Sequence, residues 1–128
     1  MQVTVSDTIA ALIAAIRVGI EIREAGPGEF FDDPRSEYTV SGIMARLKES
    51  VNRLKAMGWS GDIDTASVSK MRDKLLHHYE AIDLDIAWAT LAMDFEPLLD
   101  KALRVQAEYD SWRKDHDELV IPPEVLNQ

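Results

Sequence analysis

Residues 6–25, SDTIAALIAAIRVGIEIREA, decide the fold class. Ile9, Leu12, Ile13, Ile16 and Ile20 recur at steps of three and four, while Arg17, Glu21 and Arg23 fall elsewhere, as in a helix with one apolar stripe. Ser6 is suited to cap its start and Gly26-Pro27-Gly28 stops it. Glu29-Phe30-Phe31-Asp32-Asp33-Pro34 then reads as a connector whose two aromatics plug the end of a core.

The same periodicity continues outward. A second helix follows Pro34 and ends at Gly58, with Val40, Ile43, Met44, Leu47, Val51, Leu54 and Met57 as its stripe. Trp59-Ser60-Gly61-Asp62 is a loop, and Asp64 caps a third helix expected to reach about Tyr79. From Leu84 the pattern resumes through Trp88, Leu91, Phe95, Leu98, Leu99 and Ala102. Pro97 predicts a kink or break there, because proline lacks an amide donor and clashes one turn back. A last helix is expected to reach about His116. No repeat, low-complexity tract or convincing strand is found, so the reading is an all-α antiparallel bundle of four to five helices. Residues 1–118 form the expected domain and 119–128, with Ile121-Pro122-Pro123, an irregular tail.

Composition narrows the function. The 128 residues suit one domain, with 46% hydrophobic and 29% charged residues. The absence of cysteine removes disulfides, thiolate metal sites and a cysteine nucleophile. The longest apolar run, Ile9–Ile16, is too short to span a bilayer, which takes roughly 20 residues. No basic leader precedes it, so a cytoplasmic location is expected. The formal charge of −9 argues against a bulk nucleic-acid coat and requires that any polyanion meet a local basic patch. Charge is segregated along the chain. The second helix and its lead-in carry Arg35, Arg46, Lys48, Arg53 and Lys55 against two acids, whereas residues 84–128 hold ten acidic and four basic residues.

The third helix carries the unusual chemistry. At about 100° per residue, Val68, Met71, Leu75 and Tyr79 fall along one line, and Arg72 lies within that apolar stripe. An arginine cannot shed its charge, so it either snorkels, pairs with a carboxylate of another helix, or awaits an anion. His77 and His78 follow, two of only three histidines, with side chains suited to proton transfer near neutrality. On a regular helix Asp73 and His77, four apart, share a face; the carboxylate either orients the imidazole or forms an ordinary helix-surface pair. Adjacent histidines diverge by about 100° on a helix and no second ligand cluster accompanies them, so no metal or other cofactor is expected. On one straight helix His77 lies about 140° from Arg72. Either the helix loosens near His77 or a second copy of the chain completes the site.

Met71-Arg72-Asp73-Lys74-Leu75-Leu76-His77-His78-Tyr79-Glu80-Ala81-Ile82-Asp83-Leu84-Asp85-Ile86-Ala87-Trp88 resembles the signature of the HepT-like branch of the HEPN superfamily. Arg72, Asp73, His77 and Tyr79, the Ile-Asp turn and the Trp all match it. The Glu29–Pro34 connector and Glu49 extend the likeness to about residues 6–106. Ile63-Asp64-Thr65-Ala66 lacks the Pro-Trp common there in relatives. The resemblance implies a HEPN-like homodimer acting as a metal-independent RNA endonuclease, the toxin of a two-gene toxin–antitoxin system. It also implies an MNT-type minimal nucleotidyltransferase antitoxin that can transfer AMP to the motif tyrosine, here Tyr79. His77 is then the candidate acid/base, Arg72 the phosphate ligand, Asp73 the group orienting His77, and Tyr79 both a positioning group and the modification site. Arg46, Lys48, Arg53, Lys55, Lys74 and His78 are candidate RNA contacts. The alternatives are a HEPN-type module that binds nucleotide or RNA without cutting it, and a plain helical interaction protein.

Overall fold

A computed structural model describes residues 2–77 and 81–128, with 76, 77 and 81 described by backbone alone. The described chain is an all-α bundle: α1 (Val5–Ala25), α2 (Pro27–Asp32), α3 (Ser36–Ala56), α4 (Thr65–Leu75), α5 (Leu84–Met93), α6 (Phe95–Trp112) and α7 (Pro123–Leu126). One short antiparallel ladder, which the periodicity did not reveal, pairs β1 (Leu76–His77) with β2 (Ala81–Ile82). No described helix is long and apolar enough to cross a membrane.

Helix α1 is the axis of the bundle. Its cap is Thr4, two residues before the expected Ser6, in a capping box with Asp7: each side chain bonds the other's amide, at 3.1 and 3.3 Å. Val5, Ile9, Leu12 and Ile16 are buried. α3 packs on one side of α1 and α6 on another, and these two flanking helices scarcely meet. Gly19 lies at a close approach of α1 to the α5–α6 corner, where the Phe95 ring and Leu91 occupy the space a side chain would take.

The breaks have local causes. At the end of α3, Gly58 adopts φ 77°; its amide donates to Lys55 O, and the Trp59 amide to Leu54 O, which satisfies the last carbonyls. Of the two connector aromatics, Phe30 is buried while Phe31 stays 40% exposed, and both pack on Trp88. The expected break near Pro97 falls at Asp94. Proline clashes with the carbonyl four residues back, and that residue, Met93, is the last of α5. Pro97 itself sits in the first turn of α6, where its missing amide costs nothing.

Two ends differ from the sequence reading. α6 stops at Trp112 rather than near His116, whose ring stacks on Trp112 with centroids 4.2 Å apart. Residues 119–128, read as an irregular tail, are docked. The Ile121 amide donates to Val3 O at 2.8 Å, the Val5 amide donates to Leu119 O at 2.9 Å, and Ile121 is buried. Pro123 then opens α7, whose half-buried Val125 and Leu126 pack against the core.

Candidate functional site

The third helix ends earlier than its periodicity predicts. α4 starts behind Asp64, whose carboxylate accepts from the Ala66 amide at 3.0 Å, and finishes at Leu75 rather than Tyr79. The chain then enters β1, pairs Leu76 with Ile82 and His77 with Ala81, and the Asp83 amide donates to Leu75 O at 2.7 Å. Asp83 caps α5 through bonds from the Asp85 and Ile86 amides. Of the two ways out of the angular conflict between Arg72 and His77, the first therefore holds: His77 is not on the helix. The same fact removes the helix-face argument that joined Asp73 to His77, because residues four apart share a face only while the helix continues. Asp73 is exposed in the last turn of α4. The His77 side chain, His78 and Tyr79 lie outside the described residues.

Arg72 stands where the stripe put it, half-buried. It borders a small pocket of about 50 Å³ walled by Ser41, Met44, Leu75 and Ile82. It also borders a cleft of about 660 Å³ against the outer face of α3, shared with Lys48, Arg53 and Lys55. Among the described residues Arg72 makes no ion pair, so no carboxylate lock is found there. Four cations thus face one cleft. Their one acidic neighbour in that lining is Glu49, which lies 2.9 Å from Arg53 and 3.8 Å from Arg46. Like charges gathered around a concave wall raise the local potential and favour a polyanion there, despite the net charge of the chain.

The structure sorts the remaining candidates. Arg46 lies one step round α3, in a groove against α1 that it shares with Glu49 and Arg53, so Arg53 joins the two depressions. Lys74 points to a different groove of about 330 Å³, between α4 and the start of α6, and does not join Arg72. Lys55 bonds Thr65 Oγ1 at 3.3 Å, tying the cleft to the start of α4. Sequence reasoning missed the far wall of the cleft, made by Val125, Leu126 and Gln128, and the amide of Asn52 on α3. Two aliphatics behind Pro122-Pro123 were the available signal, since Pro at a first helical position often opens a short helix. Among the described residues no three His, Asp or Glu side chains converge as a metal ion would need.

A family model described as ribonuclease HepT-like matches residues 14–105, well over half the chain. The chain belongs to the HepT-like ribonuclease family. The matched span takes in most of α1, all of α3 and α4, the ladder and α5, and so contains Arg72 and every α3 cation of the cleft. The family assignment brings ribonuclease activity at the level of the family, and the all-α bundle agrees with it. No curated protein and no solved structure matches the chain.

Proposed function

We propose that this HepT-like chain is a metal-independent RNA endonuclease, the toxin of a two-gene toxin–antitoxin system acting in the cytoplasm as a homodimer. The observation that carries the reading is the half-buried Arg72, without an ion pair among the described residues, facing a cleft lined by Lys48, Arg53 and Lys55 in a chain of a ribonuclease family. Arg72 presents a planar fork of donors that fits a phosphate, and the α3 cations guide the flanking backbone.

The proposed reaction is attack by a ribose 2′-hydroxyl on the adjacent phosphodiester. The new 2′-O–P bond forms as the P–O5′ bond breaks, leaving a 2′,3′-cyclic phosphate and a 5′-hydroxyl. His77 moves the protons, taking one from the 2′-hydroxyl or giving one to the leaving oxygen, with the second copy of the chain supplying the partner group. Arg72 stabilises the charge that grows on the phosphate. Asp73 orients His77 across the turn from helix to strand, and Tyr79 positions the RNA backbone. The antitoxin, a minimal nucleotidyltransferase, transfers AMP from ATP to the Tyr79 oxygen with release of pyrophosphate. That modification puts bulk and a negative phosphate into an anion site.

The test is cleavage of RNA by the purified dimer in excess chelator. Full activity is expected, and His77→Ala is expected to lose at least about 100-fold while folding normally. Loss of activity on chelation, or a His77→Ala variant that cuts at the wild-type rate, would overturn the mechanism. One observation favours a second reading, an RNA-binding module that does not cut: Glu49 already holds Arg53 and Arg46 within the basic face of an acidic chain. Tight binding with no product distinguishes it.

A further inference from the structure

The Arg72 cleft has two unlike walls. One is cationic, made by Lys48, Arg53, Lys55 and Arg72. The other is α7, where half-buried Val125 and Leu126 border the cleft beside the exposed Gln128. Cations alone suffice to bind a phosphate; aliphatic lining beside them adds nothing to that. Apolar surface next to charge, with a few placed amides, is instead the make-up of a pocket for a ligand with an apolar body and a charged end. We propose that the cleft holds one unpaired nucleotide of the RNA strand, its phosphate on Arg72 and the α3 cations and its base against Val125 and Leu126, with Gln128 and Asn52 reading the base edge.

Three further observations support this assignment. The volume of about 660 Å³ lies in the range of small-molecule pockets, and so accommodates a whole nucleotide and not a phosphate alone. α7 is held in register, because Ile121 is buried and residues 119–121 run against Val3–Val5 by two main-chain bonds. Beyond that anchor Val125 and Leu126 pack against the core, so the wall is positioned by the fold. Each amide side chain offers a donor and an acceptor, as the edge of a base requires. In duplex RNA the bases are stacked and paired, so such a wall selects single strands. The inference rests on the RNA reading above and adds the base-contacting side of the site.

The test uses the full chain and a short 2′-O-methyl RNA, which lacks the attacking hydroxyl and stays intact whatever the chain's activity. Affinity is compared by fluorescence anisotropy with an abasic oligomer of the same length and charge and with a duplex. The single strand is expected to bind best. Leu126→Ala and Gln128→Ala are each expected to weaken it by about fivefold while leaving the abasic oligomer unchanged, in line with a lost apolar contact or hydrogen bond. Arg53→Ala should weaken both oligomers. Equal binding of base-bearing and abasic strands, wall variants without effect, or tighter binding in the variants (α7 then being a plug) would each overturn the proposal. Gln128 is exposed, so its variant tests the wall even if Leu126→Ala disturbs folding. Cleavage is scored separately on unmodified RNA: activity without a wall effect sinks this inference alone, and a wall effect without activity sinks the endonuclease alone.

Discussion

Arg72 is the residue on which the proposed site turns, and it was legible from the sequence as a permanent charge in an apolar stripe. Its surroundings bear that out: Met44, Leu75 and Ile82 on one side, the α3 cations on the other. Arg72→Ala should abolish cleavage and, measured as RNA affinity against salt, lower the slope of log K by about 0.7, the value for one phosphate contact on a single strand. An unchanged slope with a large fall in Tm would make the side chain a packing element. His77 was harder to read. Leu75-Leu76-His77 contains no glycine or proline, and local propensity lets the helix run on. What stops it lies farther along: Asp83 bonds back to Leu75 and caps α5, and Ile82 packs on the core. Such a stop is tertiary, invisible to a wheel drawn from one segment.

At the scale of elements, stripes and glycine stops were readable and the closest contacts were not. α3 ends at Gly58 as expected because the left-handed conformation and the two satisfied carbonyls are local events. The pairing of Gly19 with Phe95 joins residues 76 apart, and nothing near either one announces it. A methyl group at position 19 would fall inside van der Waals contact of the Phe95 ring and 3.1 Å from Leu91 Cδ2. Gly19→Ala should therefore destabilise by about 2 kcal/mol, roughly 6–10 °C in Tm, although alanine favours a helix. A variant with raised Tm would show that the α1–α6 contact is slack. The α7 wall of the cleft escaped for a related reason: α7 is four residues long, too short for periodicity, and follows a segment anchored by the buried Ile121.

The whole molecule is closed by a polar clasp between its ends. Glu118 accepts a bond from the Tyr109 hydroxyl, which in turn accepts from the Leu119 amide at 3.0 Å. Burial alone would raise the Glu118 pKa, but bonds from Ser6, Tyr109 and Thr4 and the charge of Arg113 outweigh it and hold the carboxyl below its ordinary value. A carboxyl lowered on folding adds stability that is complete above its unfolded pKa and lost as pH falls through the folded one. Glu118→Gln should thus melt below wild type at neutral pH, with the gap closing as pH falls through the lowered folded-state pKa of Glu118. A gap that stays constant with pH would mean that the charge of Glu118 contributes nothing.

With α1 between them, the cation-bearing α3 and the acid-rich α6 occupy separate flanks of the bundle. Such a body has an electric moment as well as a net charge, and the two act differently on the RNA strand proposed above. The net charge repels it from afar. The moment exerts a torque that turns the α3 flank towards it within about one Debye length, roughly 10 Å at 0.1 M salt. In the RNA reading proposed above, encounters with the α3 flank already turned towards the strand are favoured, and added salt screens both that preference and the net repulsion.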